Sequence, residues 1–491
     1  MEITAGLANN MELMREWSST GVGYIGLYDY LYTCGSRRFV VPRYYPRTMV
    51  NAWRKAVGNY HLSSIYLEVY PDTFIFEAPR QYVLDEIAWN INADVEALLD
   101  DYFHSMYAEA AIPVKAVFDR LETIYNRAQE TLNPIMESSR FVQSENYTFA
   151  DLKYMDEKLA DAAKLVQDSK AKDRLAILLK FYNFIRDNIE VHICARELSK
   201  VDSDKIIPLI KQALAAIQRC EDFQLTPSED KEVFCGRHSL TEYRKIAILR
   251  PEVFLEGFVD NALGRIKKDE TFWLQQAEST KNEKLKSWFL TQIYTKKNKS
   301  VNLVKNPSFE VTPDADVSKW TAKEIRSKMD WQTWGFQNSV TTFVVGNQDA
   351  HSGKYCVGIG ENQIAGCLQL TTKLDPGCRY RLTFYVKRND VKPLSESLGR
   401  LTIRFKDAEG AWADEEKSKH PAGAITVEYP PECVGKWVKL EANFSALPGD
   451  KHSFLSALFG APQQGPNARL WFDDVELTKV YDPVFFCLRT K

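Results

Sequence analysis

The sequence predicts a multidomain α+β protein in three parts: an α/β start, a helical middle and an antiparallel β-sandwich at the end. Two observations carry this reading. Apolar spacing changes from short runs flanking one helix (to about residue 90), to a helical period (about 91–300), to alternation (about 301–491). A length of 491 residues also exceeds what one hydrophobic core organises.

The first part opens with Gly21–Tyr32, GVGYIGLYDYLY, a short strand that runs into the polar loop TCGSRR. Pro42 and Pro46 bound the next segment. The helix RTMVNAWRKAVGNY then sets Met49, Trp53 and Val57 on one face. A second strand, Leu62–Val69, ends at YPD. Strand, helix, strand in this order predicts a parallel pair. A parallel sheet needs several strands and cover on both faces, so the chain is expected to begin partway through a larger α/β domain.

In the second part Asn92 or Asp94 suits a helix cap ahead of Val95, Leu98, Leu99, Tyr102 and Phe103. Pro113 restarts the helix, and Val114, Val117, Phe118, Leu121 and Ile124 continue its stripe. Amphipathic runs follow at 149–168, 172–199 and 203–221, the clearest face being Leu175, Leu178, Leu179, Tyr182 and Ile185. A shorter, more polar set reaches Tyr294, and KKNKS at 296–300 reads as a linker.

The third part holds eight short runs rich in β-branched and aromatic residues: TFVV, KYCVGIG, CLQLTTKL, YRLTFYVKR, RLTIRFKD, WVKLEANFSA, SFLSALFG and ARLWFDDVELTKV. Turn signals such as HSG, DPG, DAEG and LPGD separate them. Eight strands at this spacing fit a jelly roll.

Composition narrows the function. Lys+Arg 63 against Asp+Glu 66 gives a net charge of -3, which argues against nucleic acid as the main partner. No apolar run is long enough to span a membrane, and no signal peptide is visible at the start, so location is left open by the residues. Nine cysteines show no zinc-type spacing. Cys356, Cys367, Cys378 and Cys433 fall in the sandwich, either as one or two disulfides or as buried thiols. There is no GxSxG, Walker loop, GxGxxG or HExxH. His351, in AHSGKY, reads as a turn residue.

Two resemblances sharpen the picture. NLVKNPSFE, DAHSGKYCVGIG, LDPGCRYRLTFYVK and LWFDDVEL, in that order, resemble the carbohydrate-binding modules of the family 4/9 (CenC-like) type. That implies a galactose-binding-like jelly roll, a polysaccharide or oligosaccharide partner, and a structural Ca²⁺ with Glu310, Asp349 and Asp474 in the stretches that supply oxygen ligands. LYDYLY, IYLEVYP and ADVEALLDDYFHSMYAEAA are similar to a bacterial glycosidase-like family, domain of unknown function 4838, whose members resemble α-glucuronidases and family 20 hexosaminidases. This covers roughly residues 10–130 and implies that residues 1–90 are the C-terminal remnant of a (β/α)₈ barrel, with an extracellular or periplasmic location. Ala108-Glu109 stands where that family has a glycine.

Within such a barrel, functional groups project from the C-terminal strand ends. Asp29 and Glu68 hold those positions and are the candidate catalytic pair, with no cofactor, since glycoside hydrolysis commonly uses two carboxyl groups. Tyr28, Tyr30, Tyr66 and Tyr70 beside them suit sugar rings. The plainer alternative makes the two carboxylates turn caps or partners of Arg37, Arg38 or Arg43, and Asp72 and Glu77 are expected to face solvent. In the sandwich, Trp331, Trp334 and Trp412 lie in polar segments and are candidates for stacking on a pyranose; packing against other parts of the protein is the alternative. Trp437 and Trp471 alternate within strands and are expected in the core. Function thus reads as a glycoside hydrolase portion carrying a glycan-binding module, or else a non-catalytic glycan-binding or scaffold protein.

Overall fold

The structure, a computed structural model, describes residues 7–30, 41–42, 44–68, 73–131, 144, 146–234, 239–241, 251–298, 301–310, 331–335, 342–346, 350–360, 366–389, 399–410, 412–413, 425–446, 453–461 and 469–484. The chain forms two compact units, Met1–Leu255 and Glu256–Lys491. Three regions with a junction near residue 300 are expected from the sequence; the boundary between the two units lies inside the helix Pro251–Gly264.

The first unit contains the expected βαβ segment. Strands β1 (Ile25–Tyr30) and β2 (Leu62–Glu68) pair in parallel across the helix Pro46–Tyr60. That helix buries Met49, Val50, Ala52, Trp53 and Ala56, but Val57 is exposed. Among the described residues these two strands form a sheet by themselves.

The helices follow the sequence pattern closely. Asp94 caps Val95–Tyr107, its Oδ1 accepting the amides of Glu96 and Ala97 at 2.9 and 3.3 Å. The chain breaks at Ala108 (φ 46°) and resumes as Ala111–Thr131, which buries Val114, Val117, Phe118, Leu121 and Ile124. Phe149–Leu165 starts from a reciprocal cap between Thr148 and Asp151. Ser169–Glu197 and Ser203–Asp222 complete the longer helices. Phe76, Phe103, Phe118 and Phe181 meet within one buried cluster. Glu77, expected to face solvent in a loop, is buried with Arg80 at 3.8 Å, because residues 74–89 form a helix whose first turns pack inward.

The second unit is the sandwich. All eight expected strands form: β4 (Thr342–Gly346), β5 (Cys356–Gly360), β6 (Gly366–Lys373), β7 (Arg379–Arg388), β8 (Arg400–Lys406), β10 (Val438–Ser445), β11 (Phe454–Ala461) and β12 (Arg469–Tyr481). Two short ones join them, β3 (Gln332–Gly335) and β9 (Ile425–Glu428). The ten make two antiparallel five-stranded sheets, ordered β10-β7-β12-β5-β4 and β3-β6-β11-β8-β9. Their inner faces meet through Phe384, Phe459 and Phe472, with ring centroids 5.0 and 5.6 Å apart. Cys356, Cys378 and Cys433 are buried free thiols, and the Cys367 side chain lies outside the described residues.

The outer face of the first sheet carries the helix Glu283–Lys297 and part of Pro251–Gly264 through a buried ion cluster. Arg379, at the start of β7, donates to both oxygens of Asp260 at 3.2 and 3.0 Å, to Glu256 Oε1 at 3.2 Å and to the Thr291 hydroxyl at 2.8 Å. Ser445 of β10 donates to the same Glu256 oxygen. Burial works to raise the Glu256 pKa, yet the charges of Lys284 and Arg379 hold it below the usual value. This cluster explains why these helices belong with the sandwich.

Removing only the cation would leave two buried carboxylates facing each other. We expect Arg379→Met to cost about 3–5 kcal/mol in a denaturant titration, and joint replacement of Arg379, Glu256 and Asp260 by apolar residues to recover most of it. A loss below about 1 kcal/mol for the single change would show that the cluster is not what holds these helices to the sheet.

Candidate functional site

The positions predicted from the sequence fall into three groups. Asp29, Tyr30 and Glu68 lie within β1 and β2, but their side chains, like all of Tyr70, Asp72 and Asp349, are outside the described residues. The backbone register pairs Asp29 with Leu67 and Tyr30 with Glu68, so the two acidic positions are not register partners. Tyr28 stacks on Tyr66, centroids 5.0 Å apart and planes 8° from parallel, and both rings are largely exposed.

The tryptophans separate. Trp331 is 1% exposed, wedged between Phe309 and Phe459, and its indole N–H donates to the Asn306 carbonyl at 3.3 Å. It is a core residue and offers no stacking face: a polar sequence context hid a residue that closes one end of the sandwich. Trp334 pairs with Cys367 in β3, and its side chain is outside the described residues. Trp412 is 38% exposed, beside the end of β8. Of the two assigned to the core, Trp471 is buried over Gly358, where a Cβ would sit 2.5 Å from the indole, whereas Trp437 is half-buried at the surface.

Glu310 and Asp474 belong to one corner of the sandwich. Strand β12 bulges between Asp473 and Glu476, with Asp474 at φ 46°. The bulge turns two successive carboxylates toward the loop 351–355. Asp473 Oδ2 accepts the amides of His351 and Ser352 at 2.8 and 3.2 Å, and its Oδ1 accepts the amide of Asp474. Asp474 accepts hydroxyls from Ser308 and Ser352 at 2.6 and 2.7 Å and faces His351 Nδ1 at 2.6 Å. Glu310 Oε1 accepts the amides of Lys354 and Tyr355 at 2.8 and 3.1 Å. Gly353 has φ +61° and no room for a Cβ, which would lie 2.1 Å from Glu310. His351 therefore does more than turn the chain, since it also stacks on Tyr385 at 3.5 Å.

Burial pushes the Asp473 carboxyl up to about 6, against the amides that favour its charge. Burial also acts on Asp474, but hydrogen bonds from Ser308, His351 and Ser352 hold it below the usual value. Hard carboxylate oxygens suit Ca²⁺. Here, however, the bonded oxygens of Glu310 and Asp474 accept from protein donors. Among the described residues no three acidic, His or Cys side chains stand together as a cation site.

The second cluster was not legible as a site. On the sheet β3-β6-β11-β8-β9 the register aligns Thr371, Ser456 and Arg404 in one rung and Lys373, Phe454 and Lys406 in the next. Lys406 also bridges to Trp412. Gln369 Nε2 donates to Ser456 Oγ at 2.9 Å and Thr371 Oγ1 at 3.2 Å. The Arg404 guanidinium lies 4.2 Å from the Trp412 ring centroid, with Lys406 Nζ at 5.8 Å. An exposed indole thus ends a ladder of hydroxyl, amide and guanidinium groups on one sheet face. Only Trp412 had a signal in the sequence. RLTIRFKD and CLQLTTKL were identified as strands only, and the convergence of their polar residues depends on cross-strand register.

No protein-family model matches the chain, and no curated protein sequence matches it. Among solved structures it is similar to the enzymatically active domain of tailspike protein 4 from bacteriophage CBA120, at 17% identity and TM-score 0.26, over 36% of this chain and 21% of that one. It is similar to TmCBM61 in complex with β-1,4-galactotriose, at 18% identity and TM-score 0.23, over 37% of this chain and 99% of that one. It is also similar to the CBM22-1 xylan-binding domain of Paenibacillus barcinonensis Xyn10C, at 17% identity and TM-score 0.25, over 38% and 98%. The chain spans about a fifth of the tailspike chain. At these scores the likenesses carry no argument, and the functional reading rests on geometry and residues.

The corner makes a pH-dependent contribution with a defined sign. Asp473 titrates higher in the folded state than an ordinary aspartate, so its contribution to stability is present at low pH and lost as pH rises through about 6. Asp473→Asn removes that titration. Thermal unfolding at steps from pH 4 to pH 7 should show the variant gaining on the parent toward pH 7; a difference that stays constant would rule out the raised carboxyl.

Proposed function

We propose that the sandwich of the second unit binds a glycan across the outer face of β3-β6-β11-β8-β9. The observation that carries this is Trp412, exposed at the end of the Arg404–Ser456–Gln369–Thr371 ladder. A pyranose presents an apolar face for an indole and a rim of hydroxyls for side-chain donors and acceptors, and this face supplies both. The order of motifs resembling family 4/9 modules supports the same reading. Trp331 takes no part in it; Trp334 remains a candidate at the β3 edge.

A second reading gives the chain chemistry of its own. The parallel β1–β2 pair, with Asp29 and Glu68 near its C-terminal end, supports a place within a (β/α)₈ glycosidase barrel. Glu68→Gln would then abolish release of nitrophenol from aryl glycosides by the full chain. Absence of any hydrolysis by the parent chain would leave it as a non-catalytic glycan-binding or scaffold protein. The Ca²⁺ implied for Glu310, Asp349 and Asp474 is kept as a proposal, checked by the melting temperature with CaCl₂ and with EGTA; identical values would remove it.

For the binding face, a glycan array with the full chain should give a defined set of ligands. Trp412→Ala should weaken them by roughly tenfold or more, the usual cost of losing an aromatic anchor. Unchanged affinity would move the site elsewhere on the sandwich.

A further inference from the structure

We infer that the glycan taken by this face is acidic, its carboxylate or sulfate group docking on Arg404; this rests on the glycan-binding reading above. Three other arginines are tied to carboxylates, Arg379 to Asp260 and Glu256, Arg47 to Glu96, Asp119 and Glu122, and Arg219 to Asp187 and Glu190, whereas Arg388 is fully buried with no side-chain hydrogen bond among the described residues. Arg404 has no ion pair or hydrogen bond among the described residues, although it is half-buried; its contact is the Trp412 ring. A guanidinium carries five donors in a planar fork shaped for carboxylate or another oxyanion. Partial withdrawal from water without an acceptor costs free energy that a ligand anion would restore.

The surroundings carry the same sign. The next rung presents Lys373 and Lys406, neither with an ion pair among the described residues, two strands apart on either side of Phe454. Arg400 is the cation on this face that meets an acid, Glu428 at 3.8 Å. Three cations without an ion pair among the described residues therefore line one half of a face in a chain whose overall charge is -3. The cation beside the indole also fixes relative position: a sugar ring on Trp412 brings a substituent at its rim within reach of Arg404. A neutral glycan would satisfy the indole and the amide–hydroxyl ladder but leave the fork empty. An acidic one fills all three.

The test uses the full chain and three probes of equal length: an oligogalacturonate, its fully methyl-esterified form, and a sulfated galactan oligosaccharide. Binding is measured by titration calorimetry at low and at moderate salt. The expected result is that the oligogalacturonate or the sulfated probe binds roughly tenfold or more tightly than the methyl ester, in line with the strength of charge-assisted hydrogen bonds. Which of the two prevails tells carboxylate from sulfate. Arg404→Gln should abolish that preference while leaving weak binding of the ester, and Arg404→Lys should retain part of it. Trp412→Ala should weaken all probes alike. Equal affinity for acid and ester, or an Arg404→Gln effect of the same size on both, would overturn the acidic preference and leave the binding face standing. Absence of binding by every probe at any salt would remove both. An unchanged circular dichroism spectrum for each variant separates these outcomes from misfolding.

Discussion

A buried arginine at the head of β7 holds much of the second unit in place. Arg379 is withdrawn from water with two carboxylates, and the desolvation of all three opposes the fold. What offsets it is geometry. The fork meets Asp260 with two nitrogens, Glu256 with a third atom, and Thr291 accepts from one of them. Because these partners come from two helices and the arginine from a strand, the ion cluster fixes the direction in which the helices cross the sheet. The apolar contacts nearby, among them Trp288 under the guanidinium, would tolerate other orientations. A charge cluster of this kind specifies an arrangement more than it adds stability.

That cluster also makes the two sheets unequal. The first sheet has its inner face in the core and part of its outer face under helices, so Arg379, Thr383, Asn443 and Thr478 are all buried there despite being polar. The second sheet keeps an outer face of long polar side chains and an indole. The first sheet is therefore covered on its inner face and over part of its outer one, while the second presents polar side chains and an indole on its outer face.

Local pattern was enough for the eight longer strands and most helical faces, because each was written in spacing that a short window contains. The strands it missed, QTWG and ITVE, are the two edges of one sheet, four residues each, too short for alternation to register. The packing of Glu256 and Asp260 against the sheet was not legible because Arg379 and Asp260 are more than a hundred residues apart, and no local composition reports their meeting. Trp331 and Trp412 show the same limit at single positions. Both sit in polar stretches, yet one fills the core beside Phe309 and Phe459 while the other stands exposed against Arg404. Rank order of hydrophobicity cannot separate them; only the third dimension does.

Strand β12 has a consequence for how the second unit comes to be folded. It pairs with β7 on one side and β5 on the other, and Leu303 donates its amide to the Leu477 carbonyl. The last strand of the sandwich thus completes the middle of a sheet whose strands on either side of it, β5 and β7, lie far earlier in the chain. Loop-closure entropy must be met before those pairings yield anything. A ribosome delivering this chain will have exposed β5 and β7, with their apolar inner faces, well before their shared neighbour emerges. Until Arg469–Tyr481 is in place, β5 and β7 lack the strand that joins them.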